Sequence, residues 1–376
     1  MKKLYRLDAW HKLLALRFKS LKWRHGVLIA LLILVTLTKM IPLWGFIYTT
    51  RIYPVIGTLL SPISGFFPFA VGDIFIALSI AWVILYPIYE IGLRKKRGFG
   101  RVAEYLLWVY AWFYIAWGLN YSQPNIYYRI GMKPVEVSKA KFKKFAYQYA
   151  DSLNALSNAS LSNARKSISP DSIVDDGLKN RVRDAVLKEY NKIGYREGIN
   201  RPFNQHPHAK TMVFTPISSM SGVTGSMGPF FCEFTLNGDI LAHDYPATYA
   251  HEFAHFLGVA NEGEANFYSY IVCTASADKQ VRFSGYYHIF FHVLNNVFDI
   301  LGEKEGERFL KHIRPEIIQR ARNDRRYWLS KRCKALDAAQ DVIFELYLKG
   351  NHVAEGRKSY SGVIGLILSW EEKIKK

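Results

Sequence analysis

The sequence predicts a mainly helical chain of the α+β class, with three transmembrane helices at its N-terminal end followed by a mostly helical domain with a small sheet. Three observations support this prediction. Three stretches before residue 120 are apolar and nearly free of charge. Two stretches near the middle, TMVFTPIS and GPFFCEFTLNG, are rich in aromatic and β-branched residues and are bounded by Gly and Pro, as strands are. Beyond residue 246 the sequence is typical of helices to its end.

The first apolar stretch, 27–50, contains one Lys in 24 residues. A helix of this length crosses a hydrocarbon core of about 30 Å. The second, 74–89, is shorter but continues towards Phe66 with only Asp73 inside it. The third, 105–119, is marginal in length, and its Trp and Tyr content suits the two membrane interfaces. We interpret all three as spans. A buried core helix is the alternative for the third, and a signal peptide for the first, although no small-x-small cleavage site follows it.

Basic residues are distributed unevenly over the segments that flank these stretches. Residues 1–26 hold eight Lys or Arg, residues 51–68 hold one and residues 94–101 hold five. Because cationic loops stay in the cytoplasm, everything after the third span is predicted to lie outside it. The prediction is a multi-pass protein of the bacterial inner membrane, with a cytoplasmic basic tail (1–26), a three-helix transmembrane region (27–121) and an extracytoplasmic domain (122–376).

The formal net charge of +19 comes in large part from the basic residues that flank the predicted spans. Fifteen of the 50 basic residues precede residue 120, which leaves 35 basic against 27 acidic residues in the remainder. We therefore expect the lipid bilayer as a partner and no nucleic acid, because no basic helix or aromatic-studded strand accompanies the charge. The cysteines, Cys232, Cys273 and Cys333, are widely spaced, and buried small side chains are the expectation for them rather than a disulfide.

The segment HEFAH matches the pattern H-E-x-x-H, which random placement would produce about 0.015 times in a chain of this composition. Pro246 is well placed in a first helical turn and Gly258 at a helix C-terminus, so a helix is predicted between them. His251 and His255 then lie one turn apart on one face and can bind one cation. Glu252 lies about 100° around the helix, where it can reach a water on that cation.

A zinc hydrolase site also needs a third protein ligand and an open position. Glu262 and Glu264 are the candidates, and because they are two residues apart only one can face the histidines. Asn261 is a strong N-cap residue, and Glu264 stands at capping-box spacing from it, which gives Glu264 a structural role. Asn266, one turn beyond Glu262, could hold a ligand histidine. We favour Glu262 as the ligand and keep Glu264 as the alternative.

The expected cofactor is therefore Zn²⁺ bound by His251, His255 and Glu262, with a water whose pKa falls towards about 7. Glu252 would act as the general base. The oxyanion needs a stabilising group, and the segment SGYYH offers three candidates that the sequence does not rank: Tyr286, Tyr287 and His288. The second pair of histidines four residues apart, which begins at His288, lacks the adjacent glutamate. Core packing is favoured for this pair over a second metal site.

The same motifs carry a resemblance to known families. HEFAH followed by EGEANF resembles the gluzincin metallopeptidases, whose second motif, E-x-x-A-D/N, falls here on Glu262, Ala265 and Asn266. Longer segments resemble a family of bacterial membrane proteins known only as a domain of unknown function: WGLNY, GPFFCEFTLNG, HEFAHFLGVANEGEANFYSYIVC, RFSGYYH and LYLKGN…GRKSYSGVI. The resemblance spans nearly the whole chain. It implies a membrane-tethered, zincin-like domain in which the strand GPFFCEFTL is the edge that pairs with an extended peptide.

Two features depart from those families. Only six residues separate His255 from Glu262, which is fewer than in most gluzincins. Asn261 stands where a metzincin would carry its third ligand. The sequence thus predicts an extracytoplasmic, membrane-anchored zinc metallopeptidase that hydrolyses a peptide or envelope-protein substrate. The alternatives are a catalytically silent membrane sensor or binding protein on a zincin scaffold, and an intramembrane protease. The charged and polar residues around the motif argue against an intramembrane protease.

Overall fold

The computed structural model describes residues 23–94, 98–136, 138–164, 174–194, 197–336, 338, 342 and 362–375. Within these residues the chain is mainly helical with one three-stranded sheet, which confirms the predicted class. The basic segment 1–22, the three basic residues of 95–97 and the segment LYLKGN lie outside the described residues.

The elements are numbered here in chain order. The N-terminal part contains α1 (Trp23–Met40), α2 (Pro42–Ile47), a π-helical turn (Tyr48–Ile52), α3 (Tyr53–Gly65), α4 (Val71–Gly92), α5 (Gly98–Ala116) and a 3₁₀ turn (Gly118–Ser122). The remainder contains α6 (Ile126–Arg129), α7 (Lys139–Ala164), α8 (Asp176–Lys192), β1 (Lys210–Thr211), α9 (Thr215–Met220), β2 (Gly225–Gly228), β3 (Glu233–Leu236), α10 (Tyr245–Phe256), α11 (Glu262–Ala275), α12 (Lys279–His288), α13 (Phe290–Leu301), α14 (Glu303–His312), α15 (Pro315–Lys331) and α16 (Val363–Ile374).

Two of the three predicted spans meet the length and apolarity of a membrane-crossing helix. These are α1 and α4, of which 17% and 6% of the most apolar window is buried. The third predicted span is a helix, α5, but it does not reach that apolarity, so the prediction of three such helices is wrong. The reason is composition: α5 is rich in Trp and Tyr, whose polar atoms suit an interface better than a hydrocarbon core.

The segment between α1 and α4, which the sequence analysis treats as a connection between two spans, is itself helical and packs onto the domain that follows. Tyr53 is fully buried there. Lys210 Nζ, at the start of β1, donates to the carbonyls of Ser64 (2.6 Å) and Phe69 (3.0 Å). Glu233 accepts both from Lys210 (2.7 Å) and from the backbone N–H of Gly72 at the start of α4 (2.6 Å). A buried ion pair thus fastens one end of α4 to the sheet.

The sheet has the order β1-β3-β2, with β1 parallel and β2 antiparallel to β3. Glu233–Leu236, inside the predicted edge strand 228–236, is therefore the central strand, and the edge prediction is wrong for it. The edge position belongs to β2, in which Gly225 pairs with Leu236 and Gly228 with Glu233. The strand predicted in TMVFTPIS is only the two-residue β1, because a proline in a first turn starts α9 there.

Helix α10 lies at the centre of the domain. Eleven of its twelve residues are buried. It packs against α11, α12 and the β2–β3 hairpin. An aromatic cluster covers the side of α10 that faces β3 and contains Phe234, Tyr249, Phe253 and Phe256. Because nearly every face of α10 is buried, its side chains have little freedom to move.

Candidate metal centre

The helix that carries the H-E-x-x-H motif has the bounds that its end signals predict. It runs from Tyr245 to Phe256, with Pro246 in its first turn. Gly258 follows it with φ +98, and its N–H donates to the carbonyl of His255 at 2.9 Å. A left-handed residue at this position is the ordinary end of an α-helix, and Gly adopts it at least cost.

The structure brings together the three residues predicted to bind a metal. His251 Nε2 and His255 Nε2 are 3.1 Å apart. Glu262 Oε2, at the start of α11, is 3.1 Å from the first and 3.4 Å from the second. A tetrahedral ion with ligand bonds of about 2.0–2.1 Å separates its ligand atoms by about 3.4 Å. The triangle formed by these three atoms therefore has the dimensions of one face of a zinc site.

Hydrogen bonds on the far side of each imidazole determine which nitrogen faces the triangle. The Nδ1 of His251 donates to Asn266 Oδ1 at 2.8 Å, and the Nδ1 of His255 donates to the Val259 carbonyl at 2.6 Å. In a neutral ring the proton on Nδ1 leaves a lone pair on Nε2. Two nitrogen lone pairs and a carboxylate oxygen thus converge on one point, an arrangement that only a shared cation or proton makes favourable.

The ionisation of this cluster follows from the same convergence. Burial lowers the pKa of His255, but the carboxylate of Glu262 outweighs it and raises that pKa to about 9. Burial alone would raise the pKa of Glu262, but the two imidazoles hold it well below its usual range. The cluster therefore stabilises positive charge at its centre.

Glu264, the alternative ligand, lies outside the cluster. Its backbone N–H donates to the Asn261 side chain at 3.0 Å, which is the predicted N-cap. Its carboxylate, predicted to return to the cap, instead accepts from Arg129 Nη2 at 2.6 Å and from the Ile126 N–H at 2.9 Å. Both charged side chains of this pair are less than a tenth exposed. The geometry therefore favours Glu262 as the ligand, because Glu264 serves a buried ion pair.

Glu252 lines a cleft of about 520 Å³ together with the three clustered residues. Burial raises the pKa of Glu252 above its usual value, and the nearby histidines oppose this rise. The edge strand β2 borders the same cleft through Gly225, Ser226 and Met227. Further lining residues come from the same two helices and from distant parts of the chain: Trp117, Tyr121, Thr248, Asn266, His288, His292 and Arg332.

Of the three residues proposed to stabilise an oxyanion, one lines this cleft. Tyr286 packs against Tyr149 and Tyr270, and Tyr287 donates to Asp324 at 2.5 Å. His288 lines the cleft and donates from Nε2 to Asn266 Oδ1 at 2.9 Å.

Burial, with the nearby His251 and His292, lowers the pKa of His288 to about 3, so its ring is neutral. With the proton on Nε2, the ring presents a lone pair rather than a donor at Nδ1.

The histidine pair His288 and His292 does not form a second metal site within the described residues. The two lie on different helices, α12 and α13, and both line the cleft. A second cluster of metal-ligand type does occur where sequence reasoning placed none, at His243, Asp244 and Asp324. In it His243 Nε2 lies 2.9 Å from Asp324, which also accepts from a tyrosine hydroxyl, so these groups already form a hydrogen-bonded network.

The sequence did not identify Trp117 or Gly225 as parts of the site, or Arg129 as the partner of Glu264. Trp117 and Arg129 each lie more than a hundred residues before the motif, and Gly225 lies in a strand that was not predicted. The segment WGLNY, which contains Trp117, was noted only for its resemblance. No local pattern indicates which distant side chain will contact a helix, so the sequence offered no direct signal for them.

The comparison with protein families assigns the chain to a family but not to a function. The family model described as "Protein of unknown function (DUF3810)" matches residues 48–368. No curated protein and no solved structure matches the chain. The match begins in the π-helical turn at Tyr48 and ends in α16, so it includes α3, α4, α5 and the candidate metal centre but not α1 or α2. The chain therefore belongs to the DUF3810 family of proteins of unknown function.

Proposed function

We propose that this protein is a membrane-anchored, zinc-dependent metallopeptidase. The observation that carries the proposal is the convergence of three atoms of metal-ligand type, His251 Nε2, His255 Nε2 and Glu262 Oε2, with spacings of 3.1 to 3.4 Å. Two imidazoles, one carboxylate and an open cleft beside them match the ligand set of catalytic rather than structural zinc sites. Structural sites are closed by four protein ligands, and no fourth residue joins this group among the residues that the structure describes.

The chain's own residues divide the chemistry between them. A zinc ion held by His251, His255 and Glu262 would supply Lewis acidity towards a water and the scissile carbonyl. The carboxylate of Glu252, buried beside the ligands, takes a proton from the attacking water and returns it to the leaving amine. Its raised pKa brings it closer to neutrality, where a group can both accept and release a proton. Asn266 keeps the His251 ring in the tautomer that leaves Nε2 free.

The edge strand β2 is the natural place for a peptide substrate. It stands at the end of the strand order, so one side of its backbone has no strand partner among the described residues. It also borders the cleft that contains Glu252. An extended peptide added to this edge would be held by backbone hydrogen bonds, which recognise the chain rather than its sequence. The substrate class we propose is an extended peptide or an unfolded segment of an envelope protein.

Membrane anchoring is part of the proposal, and it rests on the exposure of large apolar side chains on two helices. Helices α1 and α4 expose large apolar side chains along most of their length, whereas a core helix of a soluble protein would be mostly buried. Arg24, at the start of α1, pairs with Glu104 near the start of α5 at 2.9 Å. The opposite end of α5 contacts the domain, since Trp112 donates to the Phe230 carbonyl at 3.0 Å. Because basic residues stay in the cytoplasm, the cytoplasmic side is then the end of α1 and α5 that lies away from the domain and carries the basic residues.

Metal analysis of the detergent-purified full-length protein tests the centre of the proposal. We expect about one zinc per chain, lost in His251→Ala and in Glu262→Ala. His312→Ala is the matched control, because His312 is a histidine on the surface that pairs with Asp151. A wild-type protein without zinc, even after reconstitution, would rule out the metallopeptidase.

Peptide hydrolysis is tested separately, with a quenched fluorescent peptide library and Glu252→Gln as the inactive variant. Cleavage by the wild type and none by the variant supports the peptidase. Zinc binding without cleavage of any member would instead favour the alternative, a membrane sensor or binding protein on this scaffold.

A further inference from the structure

The C-terminal end of the motif helix is held by side chains from other parts of the chain. Its last carbonyls lack partners within the helix, and water or a following turn commonly satisfies such groups. Here the carbonyls of the last two helix residues and of the two residues that follow each accept a side-chain hydrogen bond: His255 from Trp117 Nε1 (3.0 Å), Phe256 from Tyr53 Oη (2.7 Å), Leu257 from Asn200 Nδ2 (2.8 Å) and Gly258 from Gln123 Nε2 (2.7 Å).

Three of these four donors belong to the part of the chain that contains the apolar helices. Tyr53 begins α3, between the two candidate spans, and Trp117 directly follows α5. Gln123 follows the next turn. The fourth donor, Asn200, also donates to the carbonyl of Thr49 at 2.9 Å, so it joins the same N-terminal segment to α10.

Trp117 contacts the metal-binding residue in two ways. Its indole N–H binds the backbone carbonyl of His255, and its ring meets the His255 imidazole edge-on, with centroids 6.4 Å apart. Trp117 and Tyr53 are both buried, at 4% and 0% exposure. A buried donor without its acceptor is costly, so these bonds strongly resist displacement of the helix end.

We propose that Trp117 and Tyr53 are positioning residues of the metal centre, through which the membrane-anchoring part of the chain sets the location of His255. This inference rests on the metal-binding half of the proposed function and not on peptide hydrolysis. The physical reason is rigidity. His255 lies one residue before the end of α10, where helices fray most easily, and side chains that orient a metal ligand commonly contribute 10- to 100-fold in affinity.

The test uses conservative variants of the full-length protein in detergent. Trp117→Phe keeps an aromatic ring and removes the N–H, and Tyr53→Phe removes only the hydroxyl. Trp112→Phe is the matched control, because the Trp112 indole donates to Phe230 in the β2–β3 turn and not to α10. Zinc affinity is measured by chelator competition, the ligand geometry by the visible spectrum of the Co²⁺-loaded protein, and stability by thermal unfolding.

We expect zinc affinity to fall about 10-fold or more in Trp117→Phe and Tyr53→Phe, with a changed Co²⁺ spectrum, and neither change in Trp112→Phe. Variants that unfold at a lower temperature but keep wild-type affinity and spectrum would overturn the inference, because the bonds would then be structural only. Should Trp117→Phe fail to fold, Tyr53→Phe decides the question by itself.

The outcomes also separate this inference from the proposed function. Zinc bound by the wild type and weakened in both variants, with no peptide cleaved, supports the positioning role and removes the peptidase. If all variants bind zinc equally and peptide is cleaved, the peptidase is supported and the positioning role is overturned. A wild-type protein that binds no zinc overturns both.

Discussion

Gly225 leaves room for the carboxylate of Glu252. A Cβ atom added to Gly225 would lie 2.4 Å from Glu252 Oε1, a distance that real Cβ contacts do not show. Gly225 begins the edge strand and Glu252 follows the first histidine of the motif, so the contact joins the candidate peptide-binding edge to the candidate base. The absence of a side chain at residue 225 is thus what allows the carboxylate to occupy this position in the cleft.

Gly225→Ala is expected to displace Glu252 and to lower peptide turnover by about 10²-fold or more, the range that a misplaced general base costs. The bound zinc should remain, because the three atoms nearest to the added Cβ all belong to Glu252 and none to a predicted ligand. Turnover and zinc content are measured on the same preparation. Gly65→Ala is the control, since nothing lies within 4 Å of the Cβ added there. Full activity in Gly225→Ala would contradict the role given to Glu252.

Glu252→Gln is expected to reduce turnover by about 10²- to 10⁴-fold while zinc content stays at the wild-type value. Burial raises the pKa of Glu252, so the fold already disfavours its charge, and the neutral amide should not lower the unfolding temperature. The measurements are turnover, metal content and thermal unfolding in detergent. Loss of zinc in this variant would show that Glu252 is a ligand rather than a base.

Glu262→Gln and Glu264→Gln are expected to fail in different ways. Glu264→Gln leaves the buried Arg129 without its counter-ion and should cost about 3 kcal/mol of unfolding free energy or more, while the folded protein keeps its zinc. Glu262→Gln should lose zinc. The unfolding free energy of its apo form should fall by less than that of Glu264→Gln. Zinc content and unfolding of both variants are compared after chelation. Zinc loss in Glu264→Gln alone would exchange their roles.

Asn266→Ala is expected to weaken zinc binding by about 10- to 100-fold, because His251 loses the acceptor that holds its tautomer. Asn296→Ala is the matched control: the Asn296 amide donates to a carbonyl within α13 and contacts neither ligand. Chelator competition measures both affinities. Equal affinities in the two variants would mean that His251 needs no such partner.

Local signals in the sequence predicted the part of the site that is local in the chain. The spacing of His251 and His255, the proline and glycine at the two helix ends and the N-cap at Asn261 all act within a few residues, so their structural consequences follow from helix geometry. The preference for Glu262 over Glu264 agrees with the geometry, although the partner of Glu264 is Arg129 and not the cap amide.

The failed predictions concern strands and membrane helices. The sequence predicts segment 228–236 as the sheet edge, but strand order depends on which segments meet in space, and β1 covers the side predicted to be open. The third predicted span is marginal in length, and its Trp and Tyr content supports the interpretation as a span. The same Trp and Tyr residues are less apolar than aliphatic ones, and α5 is not among the helices apolar enough to cross a membrane.

The sequence by itself determined the helical class, the two apolar helices and the face that presents His251, Glu252 and His255, because these follow from composition and from the 3.6-residue period. Only the tertiary structure decided that Trp117 and Tyr53 hold the end of that helix and that Gly225 makes room for the Glu252 carboxylate. These contacts join residues 27 to 203 positions apart, and such contacts arise from the packing of whole elements rather than from any local pattern.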